Sequence, residues 1–352
     1  MIERSDVLEK SQSVDQKKKK NYMTKKRAEK KAGKLDVLPE RILAISIGLY
    51  CYAISLRKNK GAYIVLNDES MEIPDMLILQ YIYGIFLYKY EDDIDTEDPD
   101  DISQEWNQKE VTFFLPDFVK KIGKKKIKEV LEEILKYRDL VGIIPGNKSY
   151  GTMEQRFPVI DHYDYDADYG IITISSPYIM VMLKKVEKAR IDKKNKYPKT
   201  YRGSYLPAGY SRRVYPEIIG ERSKKAAEVV IAVATLIDRA GDPVKRDKAG
   251  NPIVDENEDP VIDESRVAHI KVQEIINRCS KFNVDYHATE RTTSKNAMLK
   301  RVFERVWEIL PEYTDLEDVY KNIELPDPNN EKFIPTSSRL KEVLQFPHCG
   351  KI

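Results

Sequence analysis

Between residues 111 and 145 four segment types follow one another with only turn-length gaps, and this succession constrains the fold more than any single motif. VTFFLP (111–116) is a short apolar run rich in β-branched and aromatic residues, which predicts a strand. DFVKKIG (117–123) predicts a short helix. KKIKEVLEEILKYRD (125–139) predicts an amphipathic helix, because Ile127, Val130, Leu131, Ile134 and Leu135 recur at i, i+3, i+4, i+7 and i+8. LVGIIP (140–145) predicts a second strand, and PGNKSYG the turn after it. Further strands are expected around Arg156–Ile160 and Gly170–Ile174, separated by DHYDYDADYG, and a helix from Pro177 to about Arg190 closes the block. The expected class is helix-rich α+β.

The same order returns in the second half. SKKAAEVVIAVATLIDRA predicts a helix from Ser223 to about Ala240, capped by Ser223 and stopped at Gly241. VAHIKV (267–272) predicts a strand and QEIINRCSKF (273–282) a helix; a loop ending in ERTT then leads to a long helix, SKNAMLKRVFERVWEIL (294–310), with Ser294 as its cap. DVYKNIEL (318–325), the turn PDPNNEK and FIPT (333–336) predict strand, wing and strand. Each half thus has the order of a winged helix-turn-helix, and 352 residues suit about two domains. The expected division is a flexible basic arm at 1–34, a first domain at 35–190, a linker at 191–222 and a second domain at 223–352. Upstream of residue 111, a buried helix is expected from Pro39 to about Leu56, a strand at 61–66, a helix from Pro74 to about Tyr90, and a solvated loop at 91–101. The insert 241–264 holds DKAGNPIV, read as a hairpin turn, and an acidic stretch.

Charge is segregated although 60 Lys and Arg nearly cancel 58 Asp and Glu. Residues 1–34 carry a net charge of +7 with almost no apolar periodicity, so they cannot bury enough surface to offset ordering entropy. Residues 190–225 carry +8 and interleave Tyr197, Tyr201, Tyr205 and Tyr210 with their cations. By contrast, EDDIDTEDPDD (91–101) has eight acids and no base. It lacks the glycine and the terminal glutamate of a calcium-binding loop. Basic blocks of this kind suit nucleic acid.

Familiar catalytic and cofactor patterns are absent. No glycine-rich phosphate loop, dinucleotide fingerprint or nucleophile elbow occurs in the sequence. The four histidines form no paired metal motif, and His269, Cys279 and His287 read as ordinary core or surface residues. Three cysteines without CxxC spacing exclude a disulfide scaffold and point to a reduced, cytoplasmic setting. The most apolar run, Ile42 to Leu56, has 15 residues and is short for a bilayer span of about 20. A non-enzymatic protein with no cofactor, no metal and no membrane partner is the expectation.

The long helix at 294–310 is the expected reader of bases. Met298, Leu299, Val302, Phe303, Val306, Ile309 and Leu310 share one face, opposite Asn296, Lys300, Arg301 and Glu304. In helix-turn-helix proteins the start of the second helix enters the major groove. There Arg and Lys donate to guanine and Asn pairs with adenine. Candidate base-reading residues are therefore Arg291, Thr292, Thr293, Lys295, Asn296 and Lys300. Candidate backbone contacts are Lys193, Lys194, Lys196, Lys199, Arg202, Arg212, Arg213, Lys224, Lys225, Arg301 and Arg305. The matching helix of the first half turns Glu129, Glu132 and Glu133 outward, which phosphates would repel, so that domain is expected to self-associate or touch the backbone weakly.

Two tandem units of this kind resemble the theta-type plasmid replication initiator (Rep) family. In the first unit the resemblance lies in TFFLPDFVKKIG, KIKEVLEEILKYRDLVGI and FPVIDHYDYDADYGIITIS; in the second it lies in SKKAAEVVIAVATLIDRAG and MLKRVFERVWEILPEYTDL. It spans roughly residues 70–345, with the basic arm, the acidic loop and the insert as departures. The resemblance implies sequence-specific binding of repeated origin sites in double-stranded DNA, control through a homodimer, and recruitment of host replication proteins. A transcriptional or partition regulator of a mobile element shares the same expected architecture. A structural or interaction protein whose basic blocks bind acidic partners is the alternative of another class.

Overall fold

The computed structural model describes residues 25–42, 51–52, 63–66, 74–96, 108–144, 153–184, 214–239, 245, 247–248, 253–255, 261, 267–315, 334–341 and 343–347. The chain divides into two compact units. The first comprises Met1–Leu43, Ile47–Glu187 and Pro216–Glu221; the second comprises Ala44–Ser46, Lys188–Tyr215 and Arg222–Ile352. Helices and small, mainly antiparallel sheets make both units α+β. Pro216–Glu221, expected in the linker, belongs to the first unit.

In chain order the first unit contains α1 (Lys25–Ala32), β1 (Cys51–Tyr52), β2 (Tyr63–Leu66), α2 (Met76–Thr96), β3 (Glu110–Phe114), α3 (Leu115–Lys121) and α4 (Ile127–Lys136). A 3-10 turn (Tyr137–Asp139), β4 (Leu140–Ile144), β5 (Gln155–Pro158), β6 (Tyr163–Asp166) and β7 (Ile171–Ser175) follow. Residues 177–184 are helical (α5), and Pro216–Gly220 form a last 3-10 turn.

α2 starts where the Asp75 carboxylate accepts the Leu77 amide at 3.2 Å, a side-chain cap for an orphan donor. Met76–Leu79 and Tyr81–Leu87 are buried on every side, as expected of a helix with no polar face. The helix does not stop at Tyr90. It runs through residues 91–96, which had been expected to open a loop, because nothing before Pro99 breaks a helix already anchored by packing. The expected helix at 39–56 also gives way. Residues 39–42 are not helical, and Cys51–Tyr52 pair in parallel with Ile64–Val65; the rest of that run lies outside the described residues. An unbroken apolar run has no period by which helix and strand can be told apart.

α4 appears as its periodicity required, with Val130, Leu131, Ile134 and Leu135 buried. α2, β3 and α3 meet in an aromatic cluster: Phe113 of β3 stacks on Phe118 of α3 at 4.8 Å, and Tyr81 of α2 lies 5.5 Å from Phe118. Strand pairing departs from the simple expectation. β4 and β5 form a hairpin, but β4 joins β2 rather than β3, giving the order β1-β2-β4-β5. β3 instead pairs with β7 through Phe113↔Ile172, and β7 pairs with β6, giving β3-β7-β6. β6 was expected to be part of a loop. Its YDYD sequence alternates Tyr163 and Tyr165, both buried, with the exposed Asp164. The β6–β7 turn is closed by the Asp166 carboxylate, which accepts the amides of Asp168 (3.1 Å) and Tyr169 (3.2 Å).

The end of the expected flexible arm is ordered. α1 buries Ala28 against Leu35, Phe114 and Ile171. Beyond it, the Asp36 amide donates to the Thr112 carbonyl at 2.7 Å, and the Thr112 amide returns a bond to the Asp36 carboxylate at 2.6 Å. The Tyr81 hydroxyl donates to the Pro39 carbonyl at 2.7 Å. Residues 1–24 lie outside the described residues.

The second unit contains α6 (Lys224–Arg239), β8 (Val267–Lys271), α7 (Val272–Arg278), α8 (Lys281–Ala288), α9 (Thr292–Tyr313) and β9 (Val343–Pro347). α6 begins immediately after Ser223, where its cap was expected. β8 leads into α7 without a loop, as β3 leads into α3. The partner of β8 is β9, from Val267↔Pro347 to Lys271↔Val343. FIPT was the expected strand at this position, yet residues 334–336 are not extended into a sheet, and 318–325 lie outside the described residues. In the insert, the Ile253 amide donates to the Lys245 carbonyl at 2.9 Å and the Val261 amide to the Ile253 carbonyl at 2.8 Å, a hairpin-like stitching.

Candidate nucleic-acid interface

α9 is held by its apolar stripe. Leu299, Val302, Phe303, Val306, Trp307, Ile309 and Leu310 are buried, and the helix packs on α6. At its far end, Tyr215 fastens the helix by donating its amide to the Tyr313 carbonyl at 2.9 Å and its hydroxyl to Asp315 at 3.0 Å. Burial of one face leaves the opposite face to solvent. Arg291, Thr292, Thr293, Lys300 and Arg301 are exposed there, and Lys295, Asn296 and Arg305 are half-buried.

The helix begins at Thr292, with Arg291 in the cap position in extended conformation and no side chain bonded to the first amides. Ser294, expected to be the cap, lies within the first turn. The uncapped amides and the positive end of the helix dipole therefore sit beside the exposed Arg291, an arrangement that favours an anionic group. The side chains of Arg291 and Arg301 make no ion pair among the described residues. Lys300 lies 3.8 Å from Glu304, and Arg305 bonds Glu308 at 3.0 Å.

Two candidate readers are committed to partners. Lys295 places its ammonium 5.2 Å over the ring of Tyr286, a cation–π contact that orients it. The Asn296 carboxamide oxygen accepts the Ser337 amide at 2.8 Å, tying the 334–341 segment to the first turn of α9. A bidentate pair with adenine would need that same oxygen, so in this arrangement Asn296 organises the site. His287 packs edge-on to Tyr286 at 5.5 Å; burial first, and then the Lys295 charge, hold its imidazole below the usual histidine range.

Sequence reasoning missed the residue that positions this end of the unit. Glu228 of α6 is buried, and its two carboxylate oxygens accept the amides of Lys281 (3.0 Å) and Phe282 (2.9 Å), the first residues of α8. A carboxylate on two orphan amides at a helix start is a strong cap. It explains why a second helix starts at Lys281, inside the stretch 273–282 expected as one helix, and why 283–288, expected to be loop, are helical. The available signal was one acid inside the apolar run of α6. Lys225 reinforces the same helix through Asp285 at 2.6 Å, and Lys224 is half-buried. Burial, and then the Glu228 charge, push the Cys279 thiol up, leaving it an un-ionised core residue.

The outer face of α4 carries its own neutralising cations. Lys126 bonds Glu129 and Lys136 bonds Glu133, each at 2.6 Å, and Lys128 lies 3.8 Å from Glu132. Glu133 also accepts the Asp75 amide at 2.9 Å. The candidates Lys193, Lys194, Lys196, Lys199, Arg202, Arg212 and Arg213 lie outside the described residues. Among the described residues no three metal-binding side chains gather, and no helix is long and apolar enough to cross a membrane. Comparisons of the chain with family models, with curated proteins and with solved structures found no match to any of them.

Proposed function

We propose that this chain is a non-catalytic, sequence-specific double-stranded-DNA-binding protein built from two winged helix-turn-helix units, acting in the cytoplasm as a replication initiator of a plasmid or other mobile element. The observation that carries the reading is the recurrence of one topology. In each unit a long buried helix precedes a strand, the strand runs without a loop into a short helix, a helix with one apolar stripe comes later (directly in the first unit, after α8 in the second), and a later strand returns to pair with the first. In the first unit the returning strand β7 lies between β3 and β6, which is where a winged unit carries its hairpin. α9 is then the recognition helix, with Arg291, Thr292, Thr293 and Lys300 facing bases and Arg301 facing phosphates. A homodimer and host replication proteins are the further partners of this reading.

Selection from random duplexes, followed by binding profiles over single-base variants of the selected site, tests it. Arg291→Ala and Lys300→Ala are expected to relax preference at one or two positions, each by about 1–3 kcal/mol of discrimination. Lys194→Ala and Arg212→Ala should weaken all duplexes about equally, because phosphates carry no sequence code. Asn296→Ala is expected to lower stability by about 1 kcal/mol through the freed Ser337 amide, a loss visible in thermal melts. Replacing Glu132 and Glu133 by Ala should leave the preferred sequence unchanged. If those two changes rewrite the preference while Arg291→Ala and Lys300→Ala do not, the first unit is the reader.

Salt gives an independent check. With roughly 6 to 8 phosphate contacts, log affinity should fall against log salt with a slope of about −5 to −7. An affinity indifferent to salt between about 50 and 200 mM would leave the electrostatic argument without support. Direct repeats of the selected site beside the gene separate an initiator from a regulator of the same architecture.

A further inference from the structure

α1 lacks the features by which a surface helix is ordinarily stabilised. It has eight residues, a length marginal in isolation, and no acid in its first turn to offset the dipole. Its one carboxylate, Glu29, stands among Lys25, Lys26, Arg27, Lys30 and Lys31, with Lys34 following Gly33, whose φ of 77° ends the helix. Like charges four residues apart (Lys26 with Lys30, Arg27 with Lys31) add repulsion. The helix is nevertheless docked. Ala28 is fully buried against Phe114 and Ile171, and Arg27 and Lys31 lie 5.5 and 5.6 Å over the ring of Tyr169 in the β6–β7 turn. Lys25 reaches Asp117 at 3.5 Å.

Docking with three of the cations fixes the orientation of the others. Lys26, Lys30 and Lys34 are exposed and make no ion pair among the described residues. Lys26 and Lys30 stand one turn apart, a rise of about 6 Å. The fold thus holds an array of unneutralised ammonium groups beside the β6–β7 hairpin, at a fixed place on a unit whose α4 face is already paired. We propose that α1 is a docked phosphate clamp that binds the backbone of duplex DNA, so that the first unit supplies sequence-independent affinity while α9 reads bases. The clamp rests on the DNA-binding reading of the chain. It differs from a loose basic tail because its cations act from a defined position.

The experiment uses the full chain with two duplexes, one bearing the selected site and one of random sequence. The triple variant Lys26→Gln, Lys30→Gln, Lys34→Gln is expected to weaken both duplexes by the same factor, roughly tenfold or more, and to make the salt slope shallower by about 2 to 3. Ala28→Gln keeps every cation but removes the buried contact, and is expected to weaken both duplexes at least about threefold, since an undocked arm must be ordered on binding. Tyr169→Ser, which removes the ring under Arg27 and Lys31, provides the same readout without touching α1. Circular dichroism checks that folding is retained. An unchanged slope in the triple variant overturns the clamp, as does parent-like affinity in both docking variants. Loss of binding to vesicles of anionic lipid with duplex affinity unaltered assigns the helix to a membrane surface and also overturns it. A failed clamp leaves the base preferences of Arg291 and Lys300 intact; a parent chain that binds no duplex overturns both readings together.

Discussion

Gly142→Ala is expected to destabilise the first unit by about 3 kcal/mol or more. Gly142 sits in β4, paired with Ile64 on one side and Phe157 on the other, so the backbone cannot retreat. A Cβ built there would lie within the ring of Tyr178, which is itself fully buried in α5. Tyr178→Ala alone should cost a similar amount through the cavity it leaves. The double variant should cost distinctly less than the sum, because the ring and the methyl compete for one volume. Urea denaturation of the four proteins measures this. Strict additivity would mean that strand and helix do not touch in solution.

Glu228→Ala should cost about 3 kcal/mol, since it strands two amides that now bond its carboxylate, each unsatisfied group costing about 1–3 kcal/mol. The consequence reaches the interface. α8 carries Tyr286, on which Lys295 rests, and its end leads directly to Arg291. A loosened α8 should therefore blunt base preference as well as lower stability. Glu228→Gln retains one acceptor and the same shape, and should lose less on both counts. Hydrogen exchange at the Lys281 and Phe282 amides distinguishes local fraying from global unfolding. Parent-like protection there in the Ala variant would show that α8 is capped by something else.

The elements legible in the sequence are those that carry their own period. α4 and α9 each repeat apolar residues every three or four positions, and both bury the stripe so marked. β3 and β8 were legible because apolar runs of strand length stop at helix-forming residues. Where a run was apolar throughout, as at 42–56, composition could not choose between helix and strand, and Cys51–Tyr52 became an edge strand beside β2. β6 was hidden for the opposite reason: its aspartates drew attention from the alternation of Tyr163 and Tyr165.

The sequence alone determined which faces are greasy and where the charges cluster. Those properties depend on neighbours within about two helical turns, so local spacing expresses them. Tertiary structure decided the rest, because partners distant in sequence supply what a segment lacks. Residues 281–288 are helical because Glu228, 53 residues upstream of Lys281, caps them. β7 rather than β5 lies beside β3, and β9 rather than FIPT beside β8, because strand pairing is selected by burial across the whole unit. The Asn296 side chain gained a partner that local spacing could not announce, the Ser337 amide 41 residues away. α1 is a docked helix instead of a loose arm because Phe114, Ile171 and Tyr169 together form a surface on which one alanine and two cations can rest, and no stretch of the arm itself encodes that surface.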